Sequence, residues 1–97
     1  MLSIRLEPEA ENDLLAAWAW YKEQRPGLGH RLVDELDVLF EAIAENPKGF
    51  PLKYRGLRQA IAGCFPYVTY YRETPDAVVV LAILHIRRDP EPTLDDR

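Results

Sequence analysis

The stretch "AVVVLAILHI", Ala77–Ile86, decides the fold. Eight consecutive apolar residues, 77 to 84, lead into His85. A run of that length that is apolar on both faces reads as a central, doubly covered strand. It is far too short for a membrane helix, which needs roughly 20 apolar residues. Strict alternation predicts Val79, Leu81, Ile83, His85 and Arg87 on one face, with Val80, Ala82, Leu84, Ile86 and Arg88 on the other. On that count His85 and Arg88 start on opposite sides unless a bulge or turn intervenes.

Working back towards the amino terminus, "TPD" (Thr74–Asp76) is a turn, and "FPYVTYYRE" (Phe65–Glu73) is rich in the aromatic and β-branched residues of a strand. A turn around Gly63 separates it from "LRQAIA" (Leu57–Ala62), where Leu57, Gln59 and Ile61 alternate with Arg58, Ala60 and Ala62. "NPKGFPLKYRG" (Asn46–Gly56) holds two prolines and two glycines and reads as a loop. Before it the period changes. Leu32, Leu36, Leu39, Phe40 and Ile43 form one helical face, and Leu14, Trp18 and Tyr21 form another, with "RPGLG" (Arg25–Gly29) as the break. Trp20 lies off its helix's core stripe, open to a partner. Leu2, Ile4 and Leu6 alternate with polar residues as in a half-buried strand, and Pro8 suits the first turn of the helix that follows. The order is β-α-α-β-β-β: an α+β fold with a helical hairpin packed on a small, mainly antiparallel sheet.

A chain of 97 residues fits one domain spanning 1–97, with 89–97 expected to be a mobile tail. No signal-peptide pattern opens the chain, and a lone Cys64 excludes a disulfide framework. Together these point to the reducing cytoplasm, with Cys64 read as a small core residue beside Phe65. The net charge of −4 is unevenly spread. Residues 1–46 carry ten acids and four bases, residues 47–88 seven bases and two acids, and the tail four acids and one base. The basic middle suits an anionic or acidic partner.

Two histidines and one distant cysteine match no metal-ligand spacing, and neither a nucleotide fingerprint nor a serine-nucleophile motif is present, so no metal and no cofactor is expected. What remains is a set of strand arginines, Arg58, Arg72, Arg87 and Arg88, with His85 and the tyrosines Tyr54, Tyr67, Tyr70 and Tyr71. Such residues either clamp phosphates and stack bases or pair with an acidic peptide.

The element order, together with "WAWY" (Trp18–Tyr21), "NPKGFP" (Asn46–Pro51), "FPYVTYY" (Phe65–Tyr71) and "VVVLAILHIRRDP" (Val78–Pro90), resembles the RelE/ParE-type toxins of bacterial toxin–antitoxin modules, in particular the plasmid-stabilisation branch. The resemblance covers nearly the whole chain. It implies a toxin neutralised by a cognate antitoxin in a hetero-oligomer. On the ParE-like side the target is DNA gyrase and the chain is not a nuclease. On the RelE-like side it is the ribosome, with cleavage of mRNA. For the nuclease reading the catalytic candidates are Arg58, His85 and Arg88, with Arg88 at the family's strand-end arginine. Tyr67 stands where that pattern has an arginine, and the carboxy-terminal tyrosine is replaced by Thr93 or Leu94. A third reading is an inactivated toxin that only binds antitoxin. Target binding falls to Arg58, Arg72, His85, Arg87 and Arg88, and antitoxin binding to Trp20, Tyr54, Arg55 and Tyr71. The depleted nuclease set and the acidic total favour the gyrase side.

Overall fold

The structure is a computed structural model that describes residues 2–97. Strand β1 (Ser3–Leu6) leads into helix α1 (Pro8–Gln24) and then helix α2 (Leu28–Glu45). A short 3-10 turn (Pro47–Gly49) precedes strands β2 (Leu52–Tyr54), β3 (Leu57–Ile61), β4 (Tyr67–Glu73) and β5 (Ala77–His85), and helix α3 (Pro90–Asp95) closes the order. Among the described residues the strands form one sheet in the order β1-β5-β4-β3-β2, antiparallel except for the parallel β1–β5 pair. β5 is therefore interior, as its two apolar faces require. The α+β arrangement expected from the sequence is present. No helix among the described residues is long and apolar enough to cross a membrane.

Local chemistry explains the helix ends. Pro8 occupies the first turn of α1, and Glu9 and Glu11 lie where the helix dipole favours negative charge. α2 starts after Gly27, whose φ of 83° is left-handed and suits a residue without Cβ. The two helices touch at Gly29, where a Cβ would stand 2.9 Å from Cδ1 of Trp18. One core cluster packs Ala10 and Ile43 from the helices on Tyr71, Val78, Val80 and Ile83 of the sheet. A second lies on the opposite sheet face, where Leu57, Val68, Tyr70, Ala82 and Leu84 meet Leu94 of α3.

Four expectations are corrected here. First, β5 does not alternate strictly. Tyr70 pairs with Ala82 while Tyr71 pairs with Val80, leaving Leu81 as the extra residue of a β-bulge. The bulge reverses the parity, so Val78, Val80 and Ile83 share the helix-side cluster whereas Ala82 and Leu84 lie on the far side. Second, part of the expected loop at 46–56 is strand: Tyr54–Leu57 is a tight hairpin with Arg55 at φ 48° and Gly56 at φ 77°. Third, the expected mobile tail is a helix. Asp89 caps it by accepting a hydrogen bond from the Glu91 N–H at 3.1 Å, Pro90 fills its first position, and Leu94 is buried. Fourth, Cys64 is exposed rather than in the core; its N–H donates to Glu35 Oε2 at 2.9 Å, tying the β3–β4 loop to α2.

Candidate functional site

β5 and the turn after it place the site. The Ile86 N–H donates to Pro66 C=O, extending the pairing one residue, and the Arg88 N–H donates to His85 C=O at 2.9 Å, closing a turn. With the parity reversed at Leu81, the His85 ring lies edge-on to Tyr67 on the helix side, ring centres 5.5 Å apart. A hollow of about 270 Å³ opens there, between α1 and the end of β5. Ala16, Ala17 and Trp20 of α1 form one wall, Tyr67, His85 and Arg88 the other, and Asp13 and Ile83 lie at its base. The bulge puts His85 on the helix side, and the turn then brings Arg88 to the same hollow, although strict alternation had separated the two.

Its walls are built from aromatic edges. Trp20, 56% exposed, meets Tyr21 edge-on at 4.9 Å, and Tyr21 in turn meets Phe65 at 5.0 Å and Tyr67 at 6.1 Å. Burial pushes the hydroxyl pKa values of Tyr21 and Tyr67 up from a range in which a phenol is already neutral at neutral pH, and of the two only Tyr67 lines the hollow. His85 Nδ1 accepts the Arg87 N–H at 3.1 Å, which places the proton of the neutral ring on Nε2. Arg88 is exposed and belongs to no ion pair among the described residues. It also borders a second hollow, with Glu9, Thr93 and Asp96. The place therefore combines apolar rings, an oriented imidazole and an unpaired guanidinium. That combination suits gripping a macromolecular surface.

A polar clamp forms the base. Beyond Leu6, β1 no longer covers β5, and the strand's main chain would lie open on that side. Asp13 and Arg97 take over. The Ile83 N–H donates to Asp13 Oδ2 at 3.1 Å, Arg97 donates to Leu81 C=O at 3.0 Å, and the two side chains bind each other through two contacts, at 2.5 and 3.1 Å. Their side chains are only 12% and 16% exposed. Sequence reasoning missed this pair, which lies 84 residues apart.

The remaining candidates lie elsewhere. Arg58 is not a free clamp: its Nη1 donates to Phe50 C=O at 2.7 Å, its Nε lies 3.5 Å from Glu73, and its side chain is 18% exposed. Arg72 is exposed, but it pairs with Val79 near the start of β5 while His85 pairs with Tyr67 at the other end. It does not join the cluster. Arg87 is exposed beside His85. Of the residues expected to meet an antitoxin, only Trp20 is both exposed and uncommitted. Tyr71 is fully buried, its hydroxyl donates to Pro47 C=O, and desolvation pushes its pKa up to about 12. It cannot reach a partner. Tyr54 donates to Asp95 at 2.6 Å and Arg55 pairs with the same carboxylate at 3.2 Å, so both fasten the β2–β3 hairpin to α3.

A sheet of this order covered by an antiparallel helix pair is the α+β arrangement expected of RelE/ParE-type toxins, and the chain's relatives bear that class out. The chain belongs to the ParE toxin family of type II toxin–antitoxin systems, whose model matches residues 4–90. It is 31% identical over 87 residues to Toxin RelE3 of Caulobacter vibrioides, covering 88% of this chain and 95% of that one. It is 27% identical over 88 residues to Toxin ParE2 of Mycobacterium tuberculosis, covering 90% of this chain and 84% of that one. A solved structure described as the chromosomal ParDE TA system from P. aeruginosa superposes with a TM-score of 0.78 over 90% of this chain and 98% of that one, at 18% identity.

Proposed function

We propose that this chain acts in the cytoplasm as a toxin that inhibits DNA gyrase, gripping it with the rim formed by Trp20, His85, Arg87 and Arg88. A cognate antitoxin neutralises it by covering Trp20, and with it the hollow that His85 and Arg88 share. One observation carries the choice of a binding toxin over a nuclease. The Arg58 guanidinium is already taken by Phe50 C=O and Glu73, so the phosphate clamp required for RNA cleavage lacks one of its two arginines. The match to the ParE model and the net charge of −4 support the same side.

A second reading keeps one specific observation in its favour. His85, Arg88 and Tyr67 line one hollow, a place where RNA could be gripped and a proton moved. Supercoiling by purified gyrase separates the two. Inhibition is expected at a few-fold molar excess of the chain and should be reversed by the antitoxin. Undisturbed supercoiling at a hundredfold excess would overturn the proposal. Ribosome-dependent mRNA cleavage that disappears in Arg88→Ala would establish the second reading instead.

A further inference from the structure

The loop between β3 and β4, residues 62–66, touches the rim at three places. Pro66 C=O accepts the Ile86 N–H at 2.8 Å, at the start of the turn that carries Arg88. Phe65 meets Tyr21 edge-on at 5.0 Å, and Tyr21 meets Trp20 in the same way at 4.9 Å. Tyr67, whose N–H donates to Phe65 C=O at 2.8 Å, lies edge-on to His85. Where this loop sits therefore decides where Trp20, His85 and Arg88 sit.

Little holds the loop itself. Ala62 and Phe65 are buried with Ala17, Leu32 and Leu36 of the helices, but apolar contact is non-directional and sets a depth rather than a position. Among the described residues, a single hydrogen bond joins the loop to the helical layer: the Cys64 N–H donates to Glu35 Oε2 at 2.9 Å. Its acceptor is charged, which makes it stronger than a bond between neutral groups. The approach also needs a glycine, since a Cβ on Gly63 would stand 2.9 Å from the same oxygen. The Cys64 N–H holds the Glu35 carboxyl below its ordinary pKa, and the Cys64 thiol and Arg31, one turn earlier on α2, act in the same direction. At neutral pH the tie is complete.

We propose that Glu35 is a positioning residue for the rim: its carboxylate fixes the β3–β4 loop, and the loop fixes Trp20, His85 and the turn bearing Arg88. Glu35 itself lines a different hollow, with Asp34, Val38 and Leu39, so it acts through the loop. That the rim's geometry governs inhibition of a target rests on the function proposed above; the coupling of Glu35 to the rim does not.

The test compares solvent exchange of backbone amides in the ¹⁵N-labelled whole chain for the wild type, Glu35→Ala, Glu35→Gln and Asp34→Asn. The Cys64 amide reports the tie and the Ile86 amide reports the rim. The Glu7 amide, bonded to Val80 C=O, reports opening of the whole fold. Glu35→Ala should speed Cys64 and Ile86 at least fivefold and leave Glu7 unchanged. Glu35→Gln keeps an acceptor oxygen and should restore most of the protection, while Asp34→Asn should match the wild type. As acid protonates Glu35, the wild type should approach Glu35→Ala, and Glu35→Gln should show no such change. Half-inhibition of gyrase should need at least threefold more Glu35→Ala than wild type, with recovery in Glu35→Gln. The inference is overturned if Ile86 keeps its wild-type rate in Glu35→Ala, if Glu7 speeds up equally, or if Asp34→Asn reproduces the effect. It is also overturned if Glu35→Gln behaves like Glu35→Ala, or if Glu35→Ala inhibits as well as an active wild type. A wild type that never inhibits gyrase, with the two amides still coupled, would instead sink the functional reading and leave the coupling standing.

Discussion

Tyr71 shows how one side chain turns from a candidate contact into a structural peg. Its ring is buried against Phe50 and its hydroxyl donates to Pro47 C=O, which ties the sheet to the turn after α2. Tyr71→Phe should cost about 1–2 kcal/mol in urea unfolding, because the Pro47 carbonyl loses its donor. The pH response has a defined sign. With the pKa raised in the fold from about 10 to about 12, the neutral hydroxyl is the form that the fold favours, so its stabilisation is complete below pH 10 and lost as the pH climbs from 10 through 12. Melting curves of Tyr71→Phe should fall less steeply across that window than those of the wild type. Thr69 is the opposite case. Its hydroxyl is buried with no hydrogen-bond partner, so Thr69→Val should leave the melting temperature unchanged or raise it.

At the scale of elements, the bulge at Leu81 and the capped helix α3 determine where the site forms. Alternation cannot reveal a bulge inside an unbroken apolar run, because either parity leaves the pattern apolar, and so the faces of His85 and Arg88 were not legible. α3 did carry a signal. "DP" at Asp89–Pro90 is a cap followed by a first-turn proline, followed at 94 by one leucine to bury. What concealed it was the acidic, proline-rich composition of a tail. The clamp through Asp13 and Arg97 holds this helix and completes the open side of β5. Arg97→Ala leaves the nearly buried Asp13 carboxylate with only the Ile83 N–H and the Leu81 carbonyl without its guanidinium donor, and should cost about 3 kcal/mol in the same unfolding assay. A change under about 0.5 kcal/mol would show that the clamp contributes nothing to holding the edge.

Across the whole molecule, the order β1-α1-α2 and then β3-β4-β5 was readable because the hydrophobic period changes from 2 to 3.6 at Pro8 and back to 2 after Asn46, whereas β2 and α3 were not. The division of the arginines into structural and available ones was not. Arg58 finds Glu73 on the neighbouring strand and Phe50 in the preceding turn, contacts that only the register creates. Ile83→Ala, by contrast, empties a core position and should cost about 2–5 kcal/mol, enough to threaten a small domain. Arg58→Ala should also destabilise measurably, because Glu73 and the Phe50 carbonyl lose their cation, whereas Arg88→Ala should melt like the wild type.

The most direct test of the rim is gyrase supercoiling titrated with Arg88→Glu beside the wild type, each first matched for melting temperature. If Arg88 holds the target, the concentration needed for half-inhibition should rise at least tenfold while the fold stays intact. Inhibition by Arg88→Glu at the wild-type concentration would contradict the account.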